Sequence, residues 1–240
     1  MLIANHIKKR CILLNTEKFS NKALQYAKGR PSYPASAVAY MKSLVPKGAV
    51  FADVGAGTGK LTGLLAQDGD RVFGVEPNPD MYAQLEITVG KHSNAVAVLA
   101  TSENTTLDDR SVDLITVAQA LHWFDLEAFR QECLRILKPR GWVVALYNHA
   151  SAEGKGRTVH RTDATVNFFQ NPIIKDFPNV TVYNLEEWLA YQTSHSHNPL
   201  PGEAGYDEHV AKAIQYFEEN STGGLLSYEI VTTVYAQQLG

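Results

Sequence analysis

The feature of the sequence that most constrains the fold is a glycine-rich turn that directly follows an apolar strand. Residues 51–59 read Phe-Ala-Asp-Val-Gly-Ala-Gly-Thr-Gly, and an apolar helical pattern follows them. Glycines in such a strand-to-helix turn let bare backbone approach a ligand where side chains would collide. The order strand, glycine turn, helix therefore predicts a ligand-binding α/β unit.

The spacing of the glycines excludes two phosphate-binding loops. Gly55, Gly57 and Gly59 are each separated by one residue, whereas the dinucleotide fingerprint would need its third glycine at Lys60. A Walker loop would need Gly-Lys-Ser/Thr after a four-residue gap, and the segment lacks it. The spacing favours a nucleoside-binding turn that is not built around a pyrophosphate.

Further apolar runs follow this turn at the separations of an α/β fold. The second run, residues 71–75, ends at Glu76, which lies 21 residues after Gly55. A carboxylate at that distance can accept hydrogen bonds from both hydroxyls of a ribose. Residues 113–119 and 142–147 form later runs, and helical patterns separate the strands. This alternation predicts a parallel, doubly wound sheet.

Four of these segments, in order, resemble the successive motifs of class I S-adenosylmethionine-dependent methyltransferases. They are residues 53–59, 75–77, 113–119 and 137–141. The type 11 or trans-aconitate-methyltransferase-like branch, which acts on small molecules, is the closest in pattern because of three further segments: 26–34, 120–124 and 199–206. The resemblance runs from about Tyr26 to Leu239. Arg140 departs from it, because the family commonly has glycine there.

The resemblance implies a Rossmann-like, doubly wound, seven-stranded α/β sheet that is mostly parallel, with an antiparallel C-terminal strand and a small helical cap. It also implies one methyltransferase domain over residues 1–240. We expect an N-terminal lid at 1–34, a cofactor-binding core at 35–150, a helical cap at 151–224 and a C-terminal strand at 225–240.

S-adenosyl-L-methionine is the cofactor that the resemblance implies. In this family the glycine turn approaches the methionine part, Asp53 helps to hold the turn and the cofactor amino group, and Glu76 accepts from the ribose. The structural alternatives are that Asp53 only caps the loop and that Arg30 is only a surface arginine. The expected cofactor-binding residues are Tyr26, Arg30, Asp53, Gly55, Ala56, Gly57, Glu76, Pro77, Ser102, Glu103 and Gln119.

The candidate acceptor-binding residues come from segments outside the glycine turn. They are Tyr33, His122, Trp123, His195, His197 and Tyr206. His122 follows the fourth strand, where a histidine can take a proton or orient an acceptor oxygen, so it is the candidate catalytic residue; a packed histidine is the alternative. His195 and His197 lack a nearby third ligand, and we therefore predict no metal site.

Composition argues against several classes of partner. The formal net charge is −3, and the longest basic run is Lys8-Lys9-Arg10, which does not suit a nucleic-acid-binding face. Cys11 and Cys133 give no disulfide framework, and Cys133 lies on an apolar helical stripe that predicts core packing. No apolar run is long enough to predict a membrane span. We expect a cytoplasmic protein with a small-molecule partner.

Absent motifs narrow the expected reaction. The fourth strand ends in Ala-Gln-Ala-Leu at 118–121, instead of the Asn/Asp-Pro-Pro-Tyr/Phe of methyltransferases that act on base amino groups and glutamines. The pattern favours in-line methyl transfer to a small-molecule oxygen, either carboxylate or hydroxyl, with carbon and nitrogen acceptors left open. One alternative is a cofactor-binding but catalytically silent regulator or scaffold. Another is a nicotinamide-dependent oxidoreductase, against which the glycine spacing argues.

Overall fold

Seven strands form one sheet in the order β3-β2-β1-β4-β5-β7-β6 in the computed structural model, which describes residues 29–150, 163–195, 198–199 and 201–239. The strands are β1 Val50–Val54, β2 Arg71–Val75, β3 Ala95–Val98, β4 Val112–Ala118, β5 Leu137–Ala150, β6 Ile173–Tyr183 and β7 Leu226–Gln238. The first five strands pair in parallel, and β7 lies antiparallel between β5 and β6. The predicted mostly parallel, seven-stranded sheet is confirmed.

The direction of chain progression reverses between β1 and β4, which are neighbours in the sheet. Ligands of open α/β sheets bind at such a switch point, outside the carboxyl ends of the strands. The glycine turn follows β1, and Gln119 follows β4. The topology therefore brings both segments to the carboxyl ends of these two neighbouring strands.

The edge strand β6 is longer than the sequence indicated. The sequence pattern predicts an extended segment only over Val180 to Tyr183, whereas β6 pairs with β7 from Ile173 to Tyr183. Pro178 lies in the middle of this strand, and proline is tolerated in an edge strand because one side of the strand has no ladder to support. The proline, together with the charges of Lys175 and Asp176, hid the alternation on which the sequence prediction depended.

Seven α-helices flank the sheet in the described part of the chain. They are α1 Ala35–Lys42, α2 Lys60–Ala66, α3 Pro79–Val89, α4 Leu126–Ile136, α5 Asp163–Phe168, α6 Leu185–Thr193 and α7 Tyr206–Asn220. The sequence predicts Asn78 and Asp125 as helix N-caps. Both are confirmed: Asn78 accepts from the Met81 amide at 2.9 Å, and Asp125 accepts from the Ala128 amide at 3.4 Å. None of the described helices is both long and apolar enough to cross a membrane.

The core is built from two large apolar clusters and a smaller third one. One large cluster packs α4 and α5 on the sheet, and the other packs α1 and α2 on it. Cys133 is fully buried in the first cluster beside Phe129 and Ile136, so its predicted core role is confirmed. Cys11 lies outside the described residues. The third cluster lies beneath α6 and α7 and is rich in aromatic rings, including Tyr183 and Trp188.

The departure from the family pattern at Arg140 has a backbone consequence. Arg140 has φ +66°, in the left-handed region that favours glycine. We expect Arg140→Gly to raise the free energy of unfolding by about 1 kcal/mol, because the relief of left-handed strain exceeds the added entropy of the unfolded chain. Urea denaturation of both proteins measures this change. A lower stability of the glycine variant would contradict the strain argument.

Candidate functional site

The glycine turn after β1 has a backbone that only glycines adopt readily. Gly55, Gly57 and Gly59 have φ values of +70°, +57° and +83°. The amides of Gly55 and Ala56 both donate to the carbonyl of Val75, at 2.9 and 3.0 Å, so the turn is held against the end of β2. This attachment presents the turn towards the carboxyl edge of the sheet.

The carboxylate of Glu76 also holds this turn. One oxygen accepts from the Gly57 amide at 2.8 Å, and the other accepts from the Asn78 amide at 2.9 Å. The side chain is buried, and this burial raises the pKa of Glu76 to about 7, although the two backbone amides act to lower it. The proximity of Asp53 raises the pKa of Glu76 further. The carboxyl group therefore changes its charge near neutral pH.

This raised pKa predicts a pH dependence of stability. The folded protein keeps a proton on Glu76 up to a pKa of about 7, whereas the ordinary value is 4.5. Between these values the folded state binds more protons than the unfolded state, so the free energy of unfolding should fall as pH rises from about 4.5 to about 7. Urea denaturation across this range measures the slope.

A Glu76→Gln variant is the matched control for that slope, because it cannot titrate and changes little in size. Asp53 contributes to the slope with the same sign, since burial raises the pKa of Asp53 to about 6. We therefore expect Glu76→Gln to flatten the pH dependence partly. An unchanged slope in that variant would contradict the assignment to Glu76.

Asp53 fastens the turn to two neighbouring elements. Its carboxylate accepts from the Thr62 hydroxyl of α2 at 2.7 Å and from the Thr116 hydroxyl of β4 at 2.9 Å. The side chain is fully buried, and burial is the main reason for its raised pKa. These contacts support the loop-holding alternative for Asp53. Contact with a cofactor amino group stays a prediction.

A cavity opens beside the glycine turn at the switch point. The space within it and in front of its open mouth amounts to about 620 Å³. Of the predicted residues, the structure brings Arg30, Tyr33, Gly55, Ala56, Gly57 and Gln119 together here. Sequence reasoning missed the lining residues Thr58, Lys60, Asn148, His149, Tyr191 and Ile230 as members of the site.

Some of these residues could have been predicted from the sequence, and others could not. Asn148 and His149 lie at the end of β5, as Gln119 follows β4, so the switch-point rule applied to one more strand would have found them. Tyr191 comes from α6 and Ile230 from β7, far along the chain. Only tertiary structure brings those two residues to the cavity.

The charge of the cavity is positive. Arg30 and Lys60 are its cationic residues, and none of its described lining residues carries a carboxylate. Arg30 donates to the Ser194 carbonyl at 3.4 Å, at the C-terminal end of α6. Burial lowers the pKa of Lys60. A ligand with an anionic group complements this lining.

Gln119, one of the residues that line the cavity, has a strained backbone conformation. Its φ is +59°, which is uncommon for a residue other than glycine. Its side-chain amide donates to the Asn148 carbonyl at 3.3 Å, and its backbone amide donates to the Leu146 carbonyl at 2.9 Å. Backbone strain of this kind is concentrated at functional sites.

The other predicted cofactor residues lie at the ends of β2 and β3 and do not line this cavity. Pro77 follows Glu76 and is half-buried, and Ser102 is buried. The Ser102 hydroxyl donates to the Glu103 carboxylate at 2.9 Å, and Glu103 also accepts from the Asp125 amide at 3.1 Å. This pair is therefore fixed to the start of α4. Tyr26 lies outside the described residues.

Most of the predicted acceptor residues are not brought to the cavity. His122 and Trp123 form a short 3-10 turn, in which their rings lie 4.7 Å apart. His122 is exposed, yet its ring also lies 6.3 Å from that of Tyr147, and desolvation there lowers its pKa. Its catalytic role stays a prediction.

The remaining acceptor candidates belong to the helical cap. His195 is bonded through Nδ1 to the Tyr191 carbonyl at 3.0 Å, and its ring packs edge-on against that tyrosine. Tyr206 begins α7, and neither residue is among those lining the cavity. His197 lies outside the described residues. Over the described residues, no group of three or more His, Cys, Asp or Glu side chains is arranged to hold a metal ion.

Comparisons with known proteins bear on this geometry. Residues 52–145 match the family model described as a methyltransferase domain. An uncharacterized methyltransferase of Mycobacterium tuberculosis is 38% identical over 130 residues, which cover 54% of this chain and 51% of that protein. A Dictyostelium discoideum protein described as a methyltransferase is 35% identical over 129 residues, covering 53% of this chain and 48% of that protein. The matched segment thus spans about half the length of these relatives.

A solved structure from Anaeromyxobacter dehalogenans, described as a type II methyltransferase, has a similar fold. The TM-score is 0.67 at 20% identity, with 87% of this chain and 97% of that chain covered. The fold is therefore that of the Rossmann-like methyltransferases. At 20% identity this likeness shows the fold alone, and the similarity to a methyltransferase domain covers residues 52–145.

Proposed function

We propose that this protein is an S-adenosylmethionine-dependent methyltransferase that acts on a small-molecule acceptor, with a carboxylate or hydroxyl oxygen as the acceptor atom. One observation carries the proposal. The buried Glu76 carboxylate is bonded to the amide of Gly57, in the turn that opens onto a cavity at the switch point. A carboxylate that can accept hydrogen bonds from a ribose, bonded directly to a glycine turn, is an arrangement that suits a nucleoside ligand.

The residues present fit this cofactor. Each oxygen of Glu76 accepts one backbone hydrogen bond, which leaves further lone pairs for two ribose hydroxyls. Gly55 and Gly57 offer backbone without side chains to the methionine part, and the cationic side chains of Arg30 and Lys60 complement its carboxylate. Ser102 and Glu103, after β3, are the proposed adenine contacts.

The chemistry that the cofactor supplies is an activated methyl group on a sulfonium sulfur. The task of the protein is then to hold an acceptor in line with the S–CH₃ bond and to exclude water. Gln119, Asn148 and His149 extend the cavity from the ends of β4 and β5. This half of the cavity is the proposed acceptor side, with Tyr33 and Tyr191 covering it.

A carboxylate acceptor needs no base, because it is already ionised at neutral pH. A hydroxyl acceptor needs one, and His122 is the proposed proton acceptor: its lowered pKa keeps the ring neutral at pH 7. Its place beside Trp123 and Tyr147, outside the cavity lining, means that His122 acts only if the acceptor reaches the 3-10 turn.

The experiment that tests the proposal has two steps. Calorimetric titration with S-adenosylmethionine and S-adenosylhomocysteine should show micromolar binding, equivalent to about 8 kcal/mol. NADH is the control ligand and should show none. Incubation with methyl-labelled cofactor and a panel of small carboxylic acids and phenols should then transfer label.

The outcomes distinguish the proposal from the alternatives. A folded protein that binds neither cofactor form contradicts the methyltransferase function. Binding of NADH instead would support the oxidoreductase alternative. Binding without transfer to any acceptor of the panel would favour a silent cofactor-binding regulator or scaffold.

A further inference from the structure

Residues 29–33, three of which line the cavity, are called the strap here. Arg30, Pro31 and Tyr33 of the strap line the same cavity as the glycine turn. Gly29 touches α6 so closely that a Cβ atom would lie 2.1 Å from the Tyr191 nitrogen. Arg30 donates to the carbonyl of Ser194 just beyond the same helix. One end of the strap is therefore fixed to the cap.

The other end of the strap is held by the antiparallel part of the sheet. The Ser32 carbonyl accepts from the Asn179 side-chain amide of β6 at 2.8 Å and from the Asn148 side-chain amide of β5 at 3.3 Å. These two bonds fix the backbone between Arg30 and Tyr33. They do not depend on the identity of the side chain at position 32.

A buried hydroxyl orients both asparagines. Thr232 of β7, which is fully buried, donates to the Asn148 Oδ1 at 2.6 Å and accepts from the Asn179 Nδ2 at 3.2 Å. Because Thr232 takes the carbonyl oxygen of Asn148, the amide nitrogen of Asn148 is left to face Ser32. Asn148 also accepts from Gln119 through its backbone carbonyl. The network therefore runs from β6 to the end of β4.

We propose that Thr232 and Asn179 are positioning residues for the strap, and that through it they set the place of Arg30 and Tyr33 in the cavity. Neither residue lines the cavity, and both lie outside the segment that matches the methyltransferase domain. The part of the inference that concerns ligand affinity rests on the proposed function. The part that concerns the order of the strap does not.

The physical basis is the number of hydrogen bonds that one buried hydroxyl controls. Removal of the Thr232 hydroxyl leaves the side-chain oxygen of the half-buried Asn148 without this donor, and it leaves the amide of the buried Asn179 without one of its two acceptors, which is unfavourable. Asn148 and Asn179 then gain rotational freedom, and their bonds to Ser32 weaken together. A strap released at Ser32 keeps its contacts at Gly29 and Arg30 on α6 and the packing of Tyr33 on the core.

The test compares two adjacent threonines of β7. Thr232→Val removes the network hydroxyl without changing the size of the side chain. Thr233→Val is the matched control, because Thr233 is also buried and its hydroxyl donates to Asp176 on β6 at 2.7 Å, away from the strap. Thr232→Ser retains the hydroxyl and should restore wild-type behaviour. Asn179→Ala is a second probe and carries the test if Thr232→Val does not fold.

Two readouts are measured on each variant: affinity for S-adenosylhomocysteine by calorimetry, and hydrogen exchange of the peptide that contains Ser32 and Tyr33. We expect Thr232→Val and Asn179→Ala to weaken binding about tenfold, the scale of one lost hydrogen bond. Exchange of the strap should rise in both variants, whereas Thr233→Val should change neither readout and Thr232→Ser should stay within about twofold of wild type.

Equal behaviour of Thr232→Val and Thr233→Val in both readouts would overturn the proposal. Failure of the proposed function is distinguishable from this result. If the wild-type protein binds no S-adenosylhomocysteine, hydrogen exchange of the strap still decides whether Thr232 and Asn179 position it.

Discussion

Replacement of Glu76 by alanine is expected to weaken the binding of S-adenosylmethionine about 100-fold or more, because hydrogen bonds to a charged group contribute about 1.5–3 kcal/mol each. The variant loses the proposed ribose acceptor. It also leaves the Gly57 amide without the partner that now holds it at 2.8 Å. The lost ribose acceptor and the loosened glycine turn both weaken ligand binding. The loss of binding free energy should therefore exceed the loss in the free energy of unfolding.

Calorimetric titration of the wild type and the variant measures this effect. Glu208→Ala is the control, since Glu208 is an exposed carboxylate paired with Lys212 on α7. We expect that control to bind as the wild type does. Glu76→Gln, which keeps the shape of the side chain but not its charge, should lie between the wild type and Glu76→Ala. If the affinity of Glu76→Ala lies within threefold of that of the wild type, Glu76 does not contact the ligand.

The binding of the ligand to Glu76 should also depend on pH. Ribose hydroxyls donate to an ionised carboxylate, and burial raises the pKa of Glu76 to about 7 in the protein without ligand. Ligand binding below that pH must therefore release a proton, and affinity should decline as pH falls through 7. The same protonation that stabilises the unliganded fold thus opposes binding.

The sequence predicted the parallel half of the fold because that half is specified locally. Each of its strands is a short apolar run, and its helices carry their own caps, such as Asn78 and Asp125. The glycine turn and Glu76 were found for the same reason, since a fixed separation along the chain places them on neighbouring strands. Their direct bond needed no distant segment to be known.

The cap side of the site could not be predicted in this way. β6 is specified mainly by its pairing with β7, more than 40 residues away in the chain, and its own composition includes Pro178. Tyr191 of α6 and Ile230 of β7 line the cavity together with residues from the ends of β4 and β5, although they come much later in the chain. Tertiary contacts of this kind leave no periodic signal in the sequence.

The histidine predictions show a related limit. His122 was chosen because it follows β4, but the chain enters a 3-10 turn there, and the ring packs against Trp123. His149 lies at the end of β5 and does line the cavity. The position of a residue after a strand tells only that it lies near the carboxyl end of the sheet. Whether its side chain points into the cavity depends on the conformation of the local turn.

Gly55 should tolerate substitution poorly, because both its backbone conformation and its neighbours oppose a side chain. A Cβ atom there would lie 2.7 Å from the Ala120 Cβ and 3.0 Å from the Phe124 ring, at a φ of +70°. We expect Gly55→Ala to lower the free energy of unfolding by about 3 kcal/mol, the sum of left-handed strain and overpacking. Thermal and urea denaturation measure the loss, which corresponds to a decrease in Tm of about 10 °C.

Gly48→Ala separates the two causes. Gly48 has a similar φ of +77°, but a Cβ atom there would meet nothing within 4 Å. That variant should therefore lose only about 1 kcal/mol, the strain alone. Equal losses in the two variants would mean that Ala120 and Phe124 move aside without penalty. A larger loss at Gly55 would show that the segment after β4 presses directly on the turn, so that the chain must keep glycine at position 55 for packing as well as for access of a ligand.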